Sequence, residues 1–176
     1  MEPFPFTSGQ VERWSDLAAR ALAPRPDAVL LIANALDSAA LAQQLRKQRP
    51  DLRLLGTEWG FTHDVLTHGG AAVEGATFIQ KVDVDSTDPA YVKFRTAYEA
   101  RFNRPVDFAA VLAYESAQVL AAALRKDPTR AGVRAALLGL GPIHGLQGDF
   151  AFDRYGDVQR RHFVMTVRGG QVALLE

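Results

Sequence analysis

The stretch that decides the fold is residues 26–59, which read PDAVLLIANALDSAALAQQLRKQRPDLRLLGTEW. Residues 28–33 are apolar on consecutive positions, a pattern typical of a parallel strand that is covered on both faces. A helix is predicted over 37–48, and a second strand over 52–55 after a proline break. The order strand, helix, strand predicts a βαβ unit with a right-handed crossover, and therefore an α/β protein with a parallel sheet.

The segments that flank this unit continue the same alternation. An N-terminal helix is predicted to begin after Ser8 and to end at two prolines, and a third strand is predicted over 76–80. The apolar stripe of the N-terminal helix comprises Val11, Trp14, Leu17, Ala18, Ala21 and Leu22. Asp37 or Ser38 is expected to cap the second helix, because short polar side chains accept hydrogen bonds from its first free backbone N–H groups.

Beyond residue 80 the pattern changes from alternation to consecutive helices. Residues 81–86 are polar and predict an extended crossover. Three helices are predicted, over about 88–102, 107–126 and 129–138, each with a threonine or an aspartate at its start. The tail predicts a hairpin in which residues 148–152 pair with 163–167 across an acidic turn that contains a glycine.

Composition excludes several classes of function. The 176 residues carry 20 basic and 20 acidic side chains, and this zero net charge argues against binding to nucleic acid or to an anionic membrane. The absence of cysteine excludes thiol catalysis, thiolate zinc sites and disulfides. No run approaches the ~18 consecutive apolar residues of a membrane span, and residues 1–6 do not have the pattern of a signal peptide.

Six stretches occur in an order and spacing that resemble one known family, the type I periplasmic solute-binding proteins of the branched-chain amino acid class. These stretches are 26–31, 54–59, 69–75, 87–91 with Tyr98, 108–114, and 145–153 with 156–158. The resemblance implies two α/β lobes that are joined by three crossovers and bind the ligand in the cleft between them. It covers nearly all of this chain but only the C-terminal half of the family's members.

The resemblance implies three parts in this chain. Residues 1–82 would form part of the second, ligand-binding lobe, residues 83–147 would be helices that belong to the first lobe, and residues 148–176 would be a hairpin that returns towards the second lobe. The expected fold is therefore a partial α/β fold of the type I periplasmic-binding-protein kind: one lobe with a parallel sheet, returning helices and a C-terminal β-hairpin. The chain is expected to be truncated or naturally incomplete.

The function implied by the resemblance is binding without catalysis. The chain would be part of the substrate-binding component of an ABC importer, taking an amino acid or a related small polar solute and closing about a hinge. Its partners would be this ligand and an ABC permease, and the full-length protein would be periplasmic or extracellular. A ligand-sensing regulatory domain on the same scaffold is the alternative, because a fold does not determine a function.

Glu58 is the first candidate for contact with a ligand. It follows a predicted strand and a glycine, which places it with Thr57 and Trp59 at the carboxyl edge of the sheet, where open α/β sheets bind ligands. In the amino-acid binders that the chain resembles, an acidic residue at this position accepts hydrogen bonds from the ligand ammonium. The alternative is a solvated loop glutamate that caps the next helix. Trp59 would either cover an apolar part of the ligand or pack beneath its own loop.

Three further candidates lie elsewhere in the sequence. Asn34 and Asp37 follow the first strand and so are predicted at the same edge of the sheet, where Asp37 would contact ligand or serve as a helix cap. Phe108 begins the long helix, where the resembled family places an aromatic ring against the ligand from the first lobe. Tyr114 and the aromatic stripe from Tyr91 to Phe102 are interpreted as packing residues.

Catalytic, metal and cofactor sites are not predicted. His63 and His68 are five residues apart, which does not suit a helical metal pair, and Asp149, Asp153 and Asp157 do not match a calcium loop. The serine-nucleophile, dinucleotide and P-loop motifs do not occur. We therefore expect no cofactor and no enzymatic activity.

The implied incompleteness has a physical consequence. The helices between residues 87 and 138 would normally cover a sheet that this chain does not contain. Large exposed apolar patches are unusual in monomers, so a homodimer or a swapped assembly is expected to cover them. Because half of the cleft would be absent, we expect the chain by itself to bind solute weakly or not at all.

Overall fold

A computed structural model describes residues 2–9 and 13–175 of the chain. Val11, predicted on the stripe of the first helix, lies outside the described residues. The described chain divides into two units. Unit 1 comprises Met1–Gln80 and Phe163–Glu176, and unit 2 comprises Lys81–His162. The boundary after Gln80 lies close to the expected one at residue 82, whereas residues 148–162 group with unit 2 and only the last strands group with unit 1.

Unit 1 is an α/β layer. In chain order its elements are α1 (Trp14–Leu22), β1 (Ala28–Leu31), α2 (Ala35–Gln48), β2 (Arg53–Thr57), α3 (His63–Gly69), a 3-10 turn (Gly70–Val73) and β3 (Thr77–Gln80), followed after unit 2 by β7 (Phe163–Arg168) and β8 (Gln171–Leu174). The strand order in the sheet is β1-β2-β3-β7-β8. The first three strands are parallel, as predicted, and the last two are antiparallel to their neighbours.

The helices cover one face of this sheet. Leu54, Phe78 and Met165 point from neighbouring strands into a core that α1, α2 and α3 complete. The opposite face carries Leu30, Leu55, Ile79 and Val164, which are all exposed. The expectation that β1 is covered on both faces is therefore wrong: Leu31 is 3% exposed, whereas its neighbour Leu30 is 39% exposed.

The C-terminal hairpin exists, but its strands are not the predicted ones. Strand β7 pairs with β3 on one side and with β8 on the other, across the Gly169–Gly170 turn. The predicted partner of β7, Gly148–Phe152, pairs instead with two short strands of unit 2. The prediction failed because adjacent alternating segments suggest a hairpin, whereas β7 beside β3 buries Phe163, Met165 and Val167 in the core of unit 1.

Unit 2 consists of three helices and a small antiparallel sheet. The helices are α4 (Pro89–Phe102), α5 (Phe108–Lys126) and α6 (Arg130–Leu138), and the strands are β4 (Ile143–Gly145), β5 (Gly148–Phe152) and β6 (Val158–Gln159). The predicted starts of the helices are confirmed, because Asp88, Asp107 and Thr129 each accept a hydrogen bond from a backbone N–H in the first turn. Each cap thus fixes a helix start that can be read from the sequence.

A small apolar core holds unit 2 together. It contains Val82, Tyr91, Val106, Phe108, Val111 and Leu146. The hydroxyl of Tyr91 donates to the carbonyl of Val84 at 2.9 Å, and burial raises the pKa of Tyr91 to about 12. The hydrogen bond attaches the segment that enters unit 2 to α4.

Helix α5 buries only a narrow part of its surface. Its buried stripe is Phe108, Val111, Glu115, Val119 and Ala123. A second apolar stripe, Ala113, Ala117, Leu120 and Leu124, is exposed. Helix α5 is long enough and apolar enough to cross a membrane, but the core helices of many globular proteins have the same length and composition. Helix α5 also carries the buried acidic side chain of Glu115 near its middle.

Candidate functional site

The loops that follow β1 and β2 meet at the carboxyl edge of the parallel strands. Strand β2 ends at Thr57, and the chain turns tightly, with the Gly60 amide donating to the Thr57 carbonyl at 3.0 Å. A Cβ atom on Gly60 would lie 2.9 Å from the Ala33 carbonyl and 2.7 Å from the Ser38 hydroxyl. Only glycine allows this approach, which brings the two predicted site loops together.

Glu58 and Trp59 occupy opposite environments within this turn. Glu58 is 8% exposed, and its burial is inconsistent with the alternative of a solvated loop glutamate. The next helix, α3, begins at His63, and the side chain of Thr62 before it makes no capping hydrogen bond. Trp59 is 72% exposed, so the alternative in which its ring packs beneath its own loop is also wrong. Thr57 is half-buried at the end of β2. Contact between these residues and a ligand stays a prediction.

Asn34 is the cap of α2, in place of the predicted Asp37 or Ser38. Its side-chain carbonyl accepts from the Asp37 amide at 2.9 Å, and its side-chain NH2 donates to the Asp37 carboxylate at 2.9 Å and to the Ser8 hydroxyl at 2.9 Å. Asp37 is buried in the first turn, where the helix dipole favours a negative charge. The prediction of Asp37 or Ser38 as the cap was wrong because the helix starts two residues earlier, at Ala35.

A groove runs beside β1 and reaches these polar residues. Its volume is about 660 Å³, within the usual range for small-molecule sites. Its lining is mostly apolar, with Phe4, Phe6, Leu17, Leu30, Ile32 and Leu55 among its members. Ser8, Asn34 and Asp37 also line it, whereas Glu58 and Trp59 do not. The structure therefore places two of the predicted residues at the groove and two in the adjoining loop.

Phe108 belongs to unit 2 and lies in its apolar core. The ring is 6% exposed and packs with Val82, Tyr91, Val106, Val111 and Leu146. The side chain therefore has a packing role in this structure, and a role in ligand contact stays a prediction. The sequence interpretation of Tyr91 as a packing residue agrees with its complete burial in the same cluster, whereas Phe102, at the other end of the predicted aromatic stripe, is 53% exposed.

Gln80 is a polar residue at this edge that the sequence reasoning missed. It ends β3, is 5% exposed, and its side-chain NH2 donates to the Phe61 carbonyl at 3.1 Å. Among the described residues its side-chain carbonyl is a buried atom without a hydrogen-bond partner. The sequence contained a signal for Gln80, because this polar residue stands at the end of the third predicted strand. Glu58 was identified from the equivalent position after the second predicted strand.

No group of three or more potential metal ligands occurs within residues 2–9 and 13–175. The side chains at the edge of the sheet offer hydrogen bonds and charge. Five polar side chains at this edge, Asn34, Asp37, Thr57, Glu58 and Gln80, are acidic or neutral, and the basic residue Lys81 directly follows Gln80 in the chain. Such a set favours a ligand group that donates hydrogen bonds, such as an ammonium.

Comparisons with known proteins agree on one architecture. The sequence model of the family described as periplasmic binding protein matches residues 2–171. The leucine binding protein LivK of Thermotoga maritima superposes with a TM-score of 0.87 at 22% identity, over 97% of this chain and 49% of its own. Curated protein sequences contain no match to this chain.

Two further solved structures differ in what they bind. LivJ of Streptococcus pneumoniae, a substrate binding protein in complex with isoleucine, has a TM-score of 0.80 at 20% identity, over 96% of this chain and 49% of its own. A solute binding protein of an ABC transporter from R. palustris, in complex with benzoate, has a TM-score of 0.81 at 18% identity, over 97% of this chain and 48% of its own. The chain thus has the fold of half of such a protein and spans about half of their length.

Proposed function

The chain belongs to the periplasmic binding protein family, whose members are solute-binding receptors. We propose that it contributes one side of a cleft that binds an amino acid. The longer protein would deliver this ligand to an ABC permease and act in the periplasm or outside the cell. The observation that supports the proposal is the buried carboxylate of Glu58 in a loop at the carboxyl edge of the parallel strands. Ligands of open α/β sheets bind at this edge.

The charge at this edge favours an amino acid over an aromatic carboxylate. Benzoate, the ligand of one structural relative, carries a negative charge and no ammonium. A buried carboxylate attracts an ammonium through charge-assisted hydrogen bonds and repels a second carboxylate. The exposed Trp59 next to Glu58 offers apolar surface for the side chain of the amino acid.

Titration of this chain with single amino acids tests the proposal. We expect leucine, isoleucine and valine to shift amide resonances of the loop around Glu58 at millimolar concentrations, and benzoate to leave them unshifted. The affinity is expected to be weak because only one side of the cleft contributes contacts. Glu58→Gln should weaken binding about tenfold, through loss of a charge-assisted hydrogen bond.

Asp64→Asn is the matched control, because it removes one negative charge from the exposed face of the next helix in the same unit. It should leave the affinity for the amino acid unchanged. Equal binding of leucine by the Glu58→Gln variant and the unsubstituted chain would contradict the assignment of Glu58. Equal responses to leucine and benzoate would contradict the proposed class of ligand.

We further propose that a second copy of the chain covers apolar surface that this chain leaves exposed. The exposed stripe of α5 lies on a face of the helix that the described residues leave uncovered. Exposed patches of this kind mark interaction surfaces. Light scattering should therefore report a dimer at micromolar concentration.

Leu120→Glu should shift this equilibrium to monomer by placing a charge in the stripe, whereas Gln118→Glu places the same charge on the same helix outside it. A monodisperse monomer that binds no hydrophobic dye would contradict the proposed dimer. An unchanged dimer in the Leu120→Glu variant would exclude the α5 stripe as its interface.

A further inference from the structure

Two segments connect unit 2 to the rest of the chain, one entering it at Lys81 and one leaving it at His162. The entering segment, residues 81–86, is held by Gln147. The backbone amide of Asp83 donates to the side-chain carbonyl of Gln147 at 2.9 Å, and the side-chain NH2 of Gln147 donates to the backbone carbonyl of Asp83. One side chain thus satisfies both backbone groups of Asp83, as a neighbouring strand would.

The leaving segment, residues 159–162, is held by Glu115. One oxygen of its carboxylate lies 2.7 Å from the guanidinium of Arg160, and the other accepts from the Leu146 amide at 2.8 Å. The side chains of Glu115 and Arg160 are only 4% and 7% exposed. The Arg160 guanidinium also lies over the Phe150 ring, 5.3 Å from its centroid.

Both attachments converge on the turn between β4 and β5. Leu146 and Gln147 are consecutive residues of this turn, and each is linked to a different connecting segment. Gly145 makes the arrangement possible, because a Cβ atom there would lie 2.6 Å from the Glu115 carboxylate. All of these contacts lie within unit 2.

We infer that Glu115 and Gln147 form a clasp, which fixes the entering and leaving segments to one turn so that they bend together. This inference rests on the proposed function, in which ligand binding closes the protein about such connecting segments. Burying an ion pair costs more than an apolar contact of the same size, so its placement where the chain leaves the unit favours a positioning role. Glu115 and Gln147 are positioning residues that would never touch the ligand.

Hydrogen exchange on the whole chain tests the clasp without any ligand. Gln147→Ala removes both bonds to Asp83 and touches only the entering segment. We expect exchange in residues 81–86 to rise about fivefold, as the loss of the one bond that protects the Asp83 amide predicts. We also expect a rise in residues 159–162, through the shared turn, with no change in α6.

Gln118→Ala is the matched control, because it truncates an exposed glutamine on α5 next to the clasp, and it should change neither segment. A rise confined to residues 81–86 would overturn the inference, because the two segments would then move independently. Faster exchange throughout unit 2, with α6 included, would overturn it as well, because Gln147 would then only support the fold. A failure of leucine binding would contradict the proposed function and leave these exchange results unaffected.

Discussion

Glu115→Ala should lower the free energy of unfolding of unit 2 by about 3–5 kcal/mol, the usual cost of leaving one member of a buried ion pair without its partner. The guanidinium of Arg160 would stay almost completely buried and would lose its counter-charge at 2.7 Å. The Leu146 amide would lose its acceptor as well. The effect should therefore exceed that of an ordinary truncation of a half-buried side chain.

The distribution of chromophores allows this loss to be assigned to unit 2. All four tyrosines, Tyr91, Tyr98, Tyr114 and Tyr155, lie in unit 2, whereas both tryptophans lie in unit 1. Denaturant titration should shift the tyrosine transition to lower denaturant. Gln118→Ala, an exposed change on the same helix, should shift it by less than about 0.5 kcal/mol.

A second substitution separates charge from packing in this result. Adding Arg160→Met to Glu115→Ala removes the uncompensated charge, so part of the lost stability should return. A loss below about 1 kcal/mol in the single variant would show that Arg160 reaches water or another acceptor. A double variant no more stable than the single variant would show that the charge is not the cause.

Gly56→Ala should destabilise unit 1 by about 2–3 kcal/mol, at the upper end of the usual cost of overpacking a core. A Cβ atom on Gly56 would lie 2.0 Å from a ring carbon of Phe61. Phe61 cannot move aside cheaply, because its ring is 1% exposed and stacks on Phe78 with a centroid distance of 4.5 Å. The backbone of Gly56 is also held between β1 and β3.

Trp14 and Trp59 report the unfolding of unit 1, and their fluorescence transition should move to lower denaturant in the Gly56→Ala variant. Phe61→Leu removes the ring atoms that the new methyl group would meet. The double variant should therefore lose less stability than the sum of the two single variants. Additive losses would show that the methyl group does not meet this ring, and a neutral Gly56→Ala would show that β2 shifts without cost.

The parts of the fold that the sequence predicts are those with a local cause. The alternation of strand and helix from residue 26 onwards depends on hydrophobic period, and three helix starts in unit 2 depend on one capping side chain each. The parallel order of the first three strands follows because a helical crossover joins each pair. The same local rule placed Glu58 and Asn34 at one edge of the sheet.

The predictions that failed concern contacts between residues that are distant in sequence. β7 pairs with β3, more than 80 residues earlier, instead of with the nearby Gly148–Phe152. The misplaced cap of α2 has a different cause, because Asn34 caps the helix through a local bond to the Asp37 amide and the predicted helix start was two residues too late. The exposure of Leu30 depends on which face of the sheet α1, α2 and α3 cover, which a run of apolar residues does not show.

By itself the sequence determined an α/β protein with a βαβ unit, the starts of its later helices, and an acidic residue at the edge of the sheet, because spacing, caps and breaks act within a few residues. Only the tertiary structure decided that Glu58 is buried while Trp59 is exposed, and that Phe108 packs inside unit 2. The pairing of Glu115 with Arg160, 45 residues apart, was decided there too. Such contacts form only when whole helices and strands pack together, because the two side chains are distant in sequence and no local pattern indicates that they will meet.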